Sequence, residues 1–146
     1  LEDLQGWAST LCGLLKPGGS FVYAEGHPFA WTLEEKDGDH VGALQAVNHY
    51  WQDQAIIEEW PESYTGIKIP SATRRAVEFA HTLEDFFTVF LAEKMQLDAF
   101  REFEGIPWKM YTRMVENPHD GQYYFPEGQP NLPMGFAMKW TKPPRG

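Results

Sequence analysis

Leu14-Leu15-Lys16-Pro17-Gly18-Gly19-Ser20-Phe21-Val22-Tyr23-Ala24-Glu25-Gly26-His27-Pro28-Phe29 is the stretch whose reading decides the fold. Lys16 suits the negative end of a helix dipole, and Pro17 with Gly18 and Gly19 prevents the helix from continuing. Residues 21–24 then form a short apolar run without polar alternation, which predicts a strand covered on both faces. Glu25, Gly26, His27 and Pro28 follow as a polar loop. In an open α/β sheet, ligands sit at the loop after a strand's carboxyl end, so Glu25 and His27 are the first candidate site residues.

On the amino-terminal side, Leu1, Leu4, Trp7, Ala8, Leu11, Leu14 and Leu15 fall at the three-and-four spacing of one helical face. Glu2 and Asp3 are expected in the first turn of that helix, where acids favour the positive end of its dipole. Leu1-Glu2-Asp3-Leu4 carries no basic and apolar leader pattern and no initiator Met, and reads as a chain entered in mid-structure.

The chain has 146 residues, enough for one domain with its own core. It is 42% hydrophobic and 15% aromatic, and its six Trp need burial or a pocket to line. Twelve basic against 21 acidic residues give a net charge of -9, which repels a phosphate backbone, and no basic cluster offsets it. Nucleic acid is therefore not an expected partner. Apolar runs are only a few residues long, far short of the roughly 20 needed to span a bilayer, so no membrane segment is expected. The single cysteine, Cys12, lies on the apolar face of the first helix and reads as a small buried thiol.

Beyond the opening stretch, residues 30–42 are charged and read as a solvated loop. Tyr50-Trp51, Ile56-Ile57, Trp60-Pro61 and Tyr64 are aromatic or apolar pairs separated by acids, the pattern of irregular strands or a lid over a cavity. Residues 67–73 read as a connector and 74–81 as a strand. Thr82-Leu83-Glu84-Asp85 starts a helix with an N-cap close to a capping box, and Leu83, Phe86, Phe87, Phe90 and Leu91 form its apolar stripe. Residues 97–103 alternate as a strand with one face partly wet, residues 104–133 read as loop, and residues 134–140 form a last strand.

These elements, in this order, resemble the C-terminal half of a class I S-adenosylmethionine-dependent methyltransferase. Leu14-Leu15-Lys16-Pro17-Gly18-Gly19 with Phe21-Val22-Tyr23 is similar to that family's turn into its fifth strand, and Glu25-Gly26-His27-Pro28 to its continuation in one subgroup. Phe79-Ala80-His81-Thr82-Leu83, a helix and Leu97-Asp98-Ala99-Phe100-Arg101-Glu102 resemble the run into the sixth strand. Met134-Gly135-Phe136-Ala137-Met138-Lys139 resembles the antiparallel seventh. One local departure is Lys94, which stands near the point where family members close a helix with a left-handed Gly; a non-Gly residue there costs roughly 1 kcal/mol.

The resemblance implies an α/β fold: the C-terminal part of a Rossmann-like methyltransferase, a mixed sheet with an antiparallel last strand and helices packed on it. Residues 1–146 are then the substrate-side part of one domain, with an insertion at about 30–73. The implied cofactor is S-adenosyl-L-methionine, the implied substrate a small molecule and the implied location the cytoplasm. The family's Gly-rich loop after the first strand, the acid after the second and the residues after the fourth have no counterpart here, because Leu1 aligns just past the fourth strand. No cofactor ligand is assigned, and the expected partner is a missing N-terminal half. Two other classes fit the residues: a non-catalytic binding module built on the aromatic segment from Tyr50 to Tyr64, and another Rossmann enzyme such as a nicotinamide oxidoreductase.

A methyl transfer to oxygen or nitrogen needs in-line approach and, for a protonated nucleophile, a base within hydrogen-bond reach. His27 is the leading candidate base, held by Pro28, and serves equally as a loop brace. Glu25 touches substrate or anchors a backbone amide. His81, one residue before the N-cap, is a candidate substrate contact or a structural residue, and Tyr50 and Trp51 are candidate walls of an apolar substrate pocket. The five His show neither an HExxH pattern nor Cys/His spacing, so no metal site is assigned.

Overall fold

The computed structural model describes residues 1–35, 43–51, 55–59, 68, 75–129 and 131–144. Trp60, Pro61 and Tyr64 and nearly all of the 67–73 connector lie outside them. Two α-helices and nine strands are described, with a short 3-10 turn at Ala30–Thr32: α1 (Leu4–Leu14), β1 (Ser20–Gly26), β2 (Leu33–Glu35), β3 (Leu44–Ala46), β4 (Ile56–Glu59), β5 (Arg75–Glu78), α2 (Leu83–Ala92), β6 (Gln96–Phe103), β7 (Val115–Glu116), β8 (Tyr123–Tyr124) and β9 (Gly135–Thr141).

The central sheet has three strands in the order β1-β9-β6, and β9 runs antiparallel to both neighbours. β1 and β6 therefore point the same way without touching. The antiparallel last strand is as the resemblance implies, but among the described residues the expected mixed sheet contains antiparallel pairs only, because β9 occupies the place where a parallel β1–β6 pair would form. β2 with β3, β4 with β5 and β7 with β8 are separate antiparallel hairpins.

Register explains which side is covered. Phe21 faces Trp140 across the ladder, Tyr23 faces Met138 and Glu25 faces Phe136, so these residues share one face. Both helices pack there, joining Leu4, Ala8 and Cys12 to Phe86, Val89, Phe90, Phe136, Met138 and Trp140 in one core. The fully buried Trp140 donates its indole N–H to the Met138 sulfur at 3.2 Å. On the opposite face Val22 is 67% exposed and Ala24 is exposed too. β1 is thus covered on one face, not two: polar alternation was missing only because Val22 and Ala24 are small apolar residues on an open side.

The helix ends sharpen the sequence reading. Asp3 precedes the first turn of α1 as its N-cap, taking the Gly6 N–H at 2.7 Å. Lys16 is not in the last turn; Lys142, from the chain leaving β9, donates to Cys12 O at 2.8 Å and Leu15 O at 3.1 Å instead. At α2 the capping box is complete: Thr82 Oγ1 accepts from Asp85 N at 3.1 Å and Asp85 Oδ2 accepts from Thr82 N at 2.8 Å. Val89 is buried on α2, whereas Leu91 is exposed.

Residues 104–133 are more than loop. A second core gathers Ala30, Ile106, Tyr111, Met114, Phe125 and Met134, with Ile106 bridged to Tyr123. Tyr111 donates its hydroxyl to Ala30 O at 2.7 Å. Glu35 takes Thr112 N at 2.8 Å and Thr112 Oγ1 at 2.9 Å. Burial alone would raise the Glu35 carboxyl, but these bonds and the Arg113 amide and charge hold it below its usual range. The region after the first strand is therefore tied to the loop before the last one.

Candidate functional site

The carboxyl end of β1 is built by close backbone approach. Gly26 pairs with Gly135, and a Cβ on Gly26 would meet Trp31 Nε1 at 3.0 Å and Trp108 Cζ2 at 3.5 Å. Only a residue without a side chain lets both indoles approach the strand end. Beyond it the His27 N–H donates to Met134 O at 2.9 Å, prolonging the β1–β9 pairing.

His27 is buried, and both ring nitrogens are engaged. Its Nδ1 accepts the Phe29 N–H at 3.1 Å, which leaves Nε2 to carry the proton and donate to Glu102 Oε1 at 3.0 Å. The bond reaches across β9, since Glu102 and Glu25 lie on either side of Phe136 in the register. Burial lowers the imidazole's proton affinity, outweighing the opposing hydrogen bond and charge of Glu102. His27 is thus a neutral ring clamping β1 to β6, and it is not among the residues lining either of two cavities that flank the strand end.

The first cavity, about 290 Å³, lies on the helix-covered side. Tyr23 and Glu25 come from β1, Trp31 from the turn after it, Glu78 from β5, His81 from the approach to α2 and Phe86 from α2 itself. The β4–β5 hairpin supplies one wall through Ile56 and Val77. Glu25 Oε1 accepts the Gly26 N–H at 2.9 Å, and His81 Nε2 donates to Leu1 O. Tyr23 is pushed well above its ordinary pKa by burial and then by the Glu25 charge, so it stays a neutral phenol. The second cavity, about 270 Å³, is lined by Ala24, Glu25, Phe103, Trp108, Gln122 and Phe136 among others. Glu25 borders both.

Glu25 and His81 both line the first cavity. Tyr50 and Trp51 line neither. The Tyr50 hydroxyl accepts the Leu83 N–H at 3.4 Å, and Trp51 is 80% exposed while packing edge-on against Tyr50. Sequence reading did not single out Trp31, Glu78 or Glu102. Trp31 had a local signal, an aromatic just past the strand end; Glu102 had none, because only the register of β6 on β9 brings it to His27. Among the described residues no three His, Cys, Asp or Glu side chains gather as a metal-binding group, and no helix is long and apolar enough to cross a membrane.

Fold and site together define an α/β chain with two helices on one face of a small antiparallel sheet and cavities at the carboxyl end of its first strand. No family model matches the chain. No curated protein matches it either. Among solved structures it is similar to the crystal structure of a "putative S-adenosylmethionine dependent methyltransferase" from Listeria monocytogenes, with a TM-score of 0.65 at 15% identity. The match covers 97% of this chain and 56% of that one, so this chain spans little more than half of that protein's length. At this identity the likeness shows the fold: the chain is similar in fold to part of a methyltransferase-like protein.

Proposed function

We propose that this chain is the substrate-side, C-terminal part of a Rossmann-like S-adenosylmethionine-dependent methyltransferase domain acting on a small molecule in the cytoplasm, with residues 30–73 as an insertion. The observation that supports this is the fold likeness over 97% of the chain to only 56% of a longer protein described as such an enzyme. The residues present do not make the cofactor's site by themselves. The Gly18-Gly19 turn precedes β1, and its amides are spent: Gly18 N donates to Lys142 O and Gly19 N to Lys16 O, each at 2.8 Å. In this reading the helix-side cavity holds the substrate, Glu25 and His81 are the polar groups beside it, and His27 is a positioning residue that fixes the strand end.

The test compares the 146-residue chain with the product of the complete reading frame that encodes it, using calorimetry with S-adenosylmethionine and transfer of a labelled methyl group. The complete product should bind and transfer, and the 146-residue chain should not bind. Micromolar affinity of the 146-residue chain would refute the missing-half reading; absence of binding by the complete product would refute the methyltransferase. For His27, a His27→Gln variant in the complete product should lower turnover without shifting the pH profile. Loss of a pH limb near neutrality would make it the base instead.

A further inference from the structure

Resting on the reading of the helix-side cavity as a substrate site, we propose that this cavity takes an organic ammonium, a protonated or quaternary amine, between Glu25 and its aromatic walls. The cavity is lined by the carboxylates of Glu25 and Glu78 and by the rings of Tyr23, Trp31, Phe79 and Phe86, with no lysine or arginine side chain among its described lining residues. Its volume of about 290 Å³ sits at the lower end of the roughly 300–1,000 Å³ typical of ligand pockets, which limits the occupant to a small molecule.

Charge decides the class. Among the described residues no cationic group lies within ion-pair distance of Glu25, whose carboxylate accepts the Gly26 amide. A carboxylate has room for several donors, so one amide leaves most of its accepting capacity for a ligand. An anionic ligand would face the Glu25 carboxylate at short range. A neutral one would strip water from Glu25 without replacing it, the costly case for a charged group. An ammonium supplies the counter-charge and N–H donors, and its positive head is attracted to the faces of indole and phenyl rings, indole most strongly. His81, whose Nε2 donates to Leu1 O, lines the same cavity.

The probes are benzylamine, benzyl alcohol and benzoate, equal in shape and different in charge, titrated into the complete product by calorimetry and by tryptophan fluorescence, to which Trp31 reports. Benzylamine should bind at least about tenfold more tightly than benzyl alcohol, and benzoate should not bind. Glu25→Gln should remove the preference for the amine while leaving the alcohol unchanged, with a thermal melt confirming the fold. Raising salt on the unmutated chain should weaken the amine alone. Equal affinity for amine and alcohol, tighter binding of benzoate, or no binding of any probe would overturn the proposal. So would displacement of benzylamine by S-adenosylmethionine, which would make the cavity a sulfonium site. Methyl transfer by the complete product without benzylamine binding removes this inference alone; benzylamine binding lost in Glu25→Gln without any methyl transfer removes the methyltransferase reading alone.

Discussion

Replacing Lys94 by Gly should stabilise the protein, and the gain can be worked from the end of α2. Lys94 has φ 58°, the left-handed region, and is the sole described non-Gly residue with positive φ. It follows the C-cap Glu93, and the chain closes with Lys94 N donating to Leu91 O at 2.9 Å and Met95 N to Phe90 O at 3.0 Å. That is the paired-bond helix ending in which Gly is favoured, and Met95 and Phe90 share the buried apolar contact that accompanies it. A Cβ in this conformation costs about 1–2 kcal/mol. Glycine gives back about 0.5–1 kcal/mol through its looser unfolded chain. The net expectation is about 0.5–1 kcal/mol of added stability, or a rise of about 1–4 °C in Tm for a chain of this size. The lysine side chain is exposed, so its loss contributes little. Urea denaturation of Lys94→Gly beside Lys94→Ala checks the cause, because alanine keeps the Cβ and should gain nothing. Equal midpoints for the two variants, or a lower midpoint for glycine, would refute the strain argument.

Thr82→Ala should cost about 1 kcal/mol by removing the acceptor for Asp85 N, whereas Thr82→Ser should keep most of the stability in the same urea titration. His27 gives a pH signature: burial lowers its proton affinity in the folded state, so the unfolded chain takes up a proton first. The stability advantage of unmutated chain over His27→Gln should be full above about pH 6.5 and decline as pH falls below it; an advantage that grows on acidification would contradict the neutral clamp. The free edge of β1 and the open face carrying Val22 should promote self-association, which sedimentation velocity should detect and Val22→Lys should reduce. A concentration-independent monomer would count against it. Phe21 and Tyr23, on the other face of the same strand, pack beneath the helices and take no part in this surface.

Much of the fold was written in local chemistry. The Lys16-Pro17-Gly18-Gly19 stop, the Thr82–Asp85 cap and the apolar spacing of α1 and α2 act over a few residues, and these elements stand where their signals put them. The ends were less legible because long-range partners set them. Lys142 supplies the cation for α1, and pairing with β9 carries β1 on to Gly26. Residues 104–133 lack periodicity because their core is assembled from single residues such as Ile106, Tyr111 and Phe125, each contributed by a different turn. The site followed the same rule. Glu25 was legible as the polar residue after an apolar run, but the role of His27 depended on Glu102, 75 residues away.

The position of Glu25 is over-determined, and that bears on how the site works. At the end of β1, Gly26 is held against Gly135, the next amide is taken by Met134 O, and the ring of His27 is tied at both nitrogens, to Phe29 and to Glu102. The carboxylate of Glu25 is pinned in turn by the Gly26 amide. Each tie removes a freedom from a residue that borders two cavities, one under the helices and one on the open side of the sheet. The proposed methyl transfer requires its reacting atoms to be held in line, and a rigid strand end between two cavities would supply such alignment. Under that proposal, loosening the clamp should affect turnover more than substrate affinity, since Glu25 could still meet the proposed ammonium from a shifted strand end but could not hold it in register. Glu102→Ala in the complete product tests this: kcat should fall with KM little changed, and a rise in KM at constant kcat would assign the clamp to binding instead.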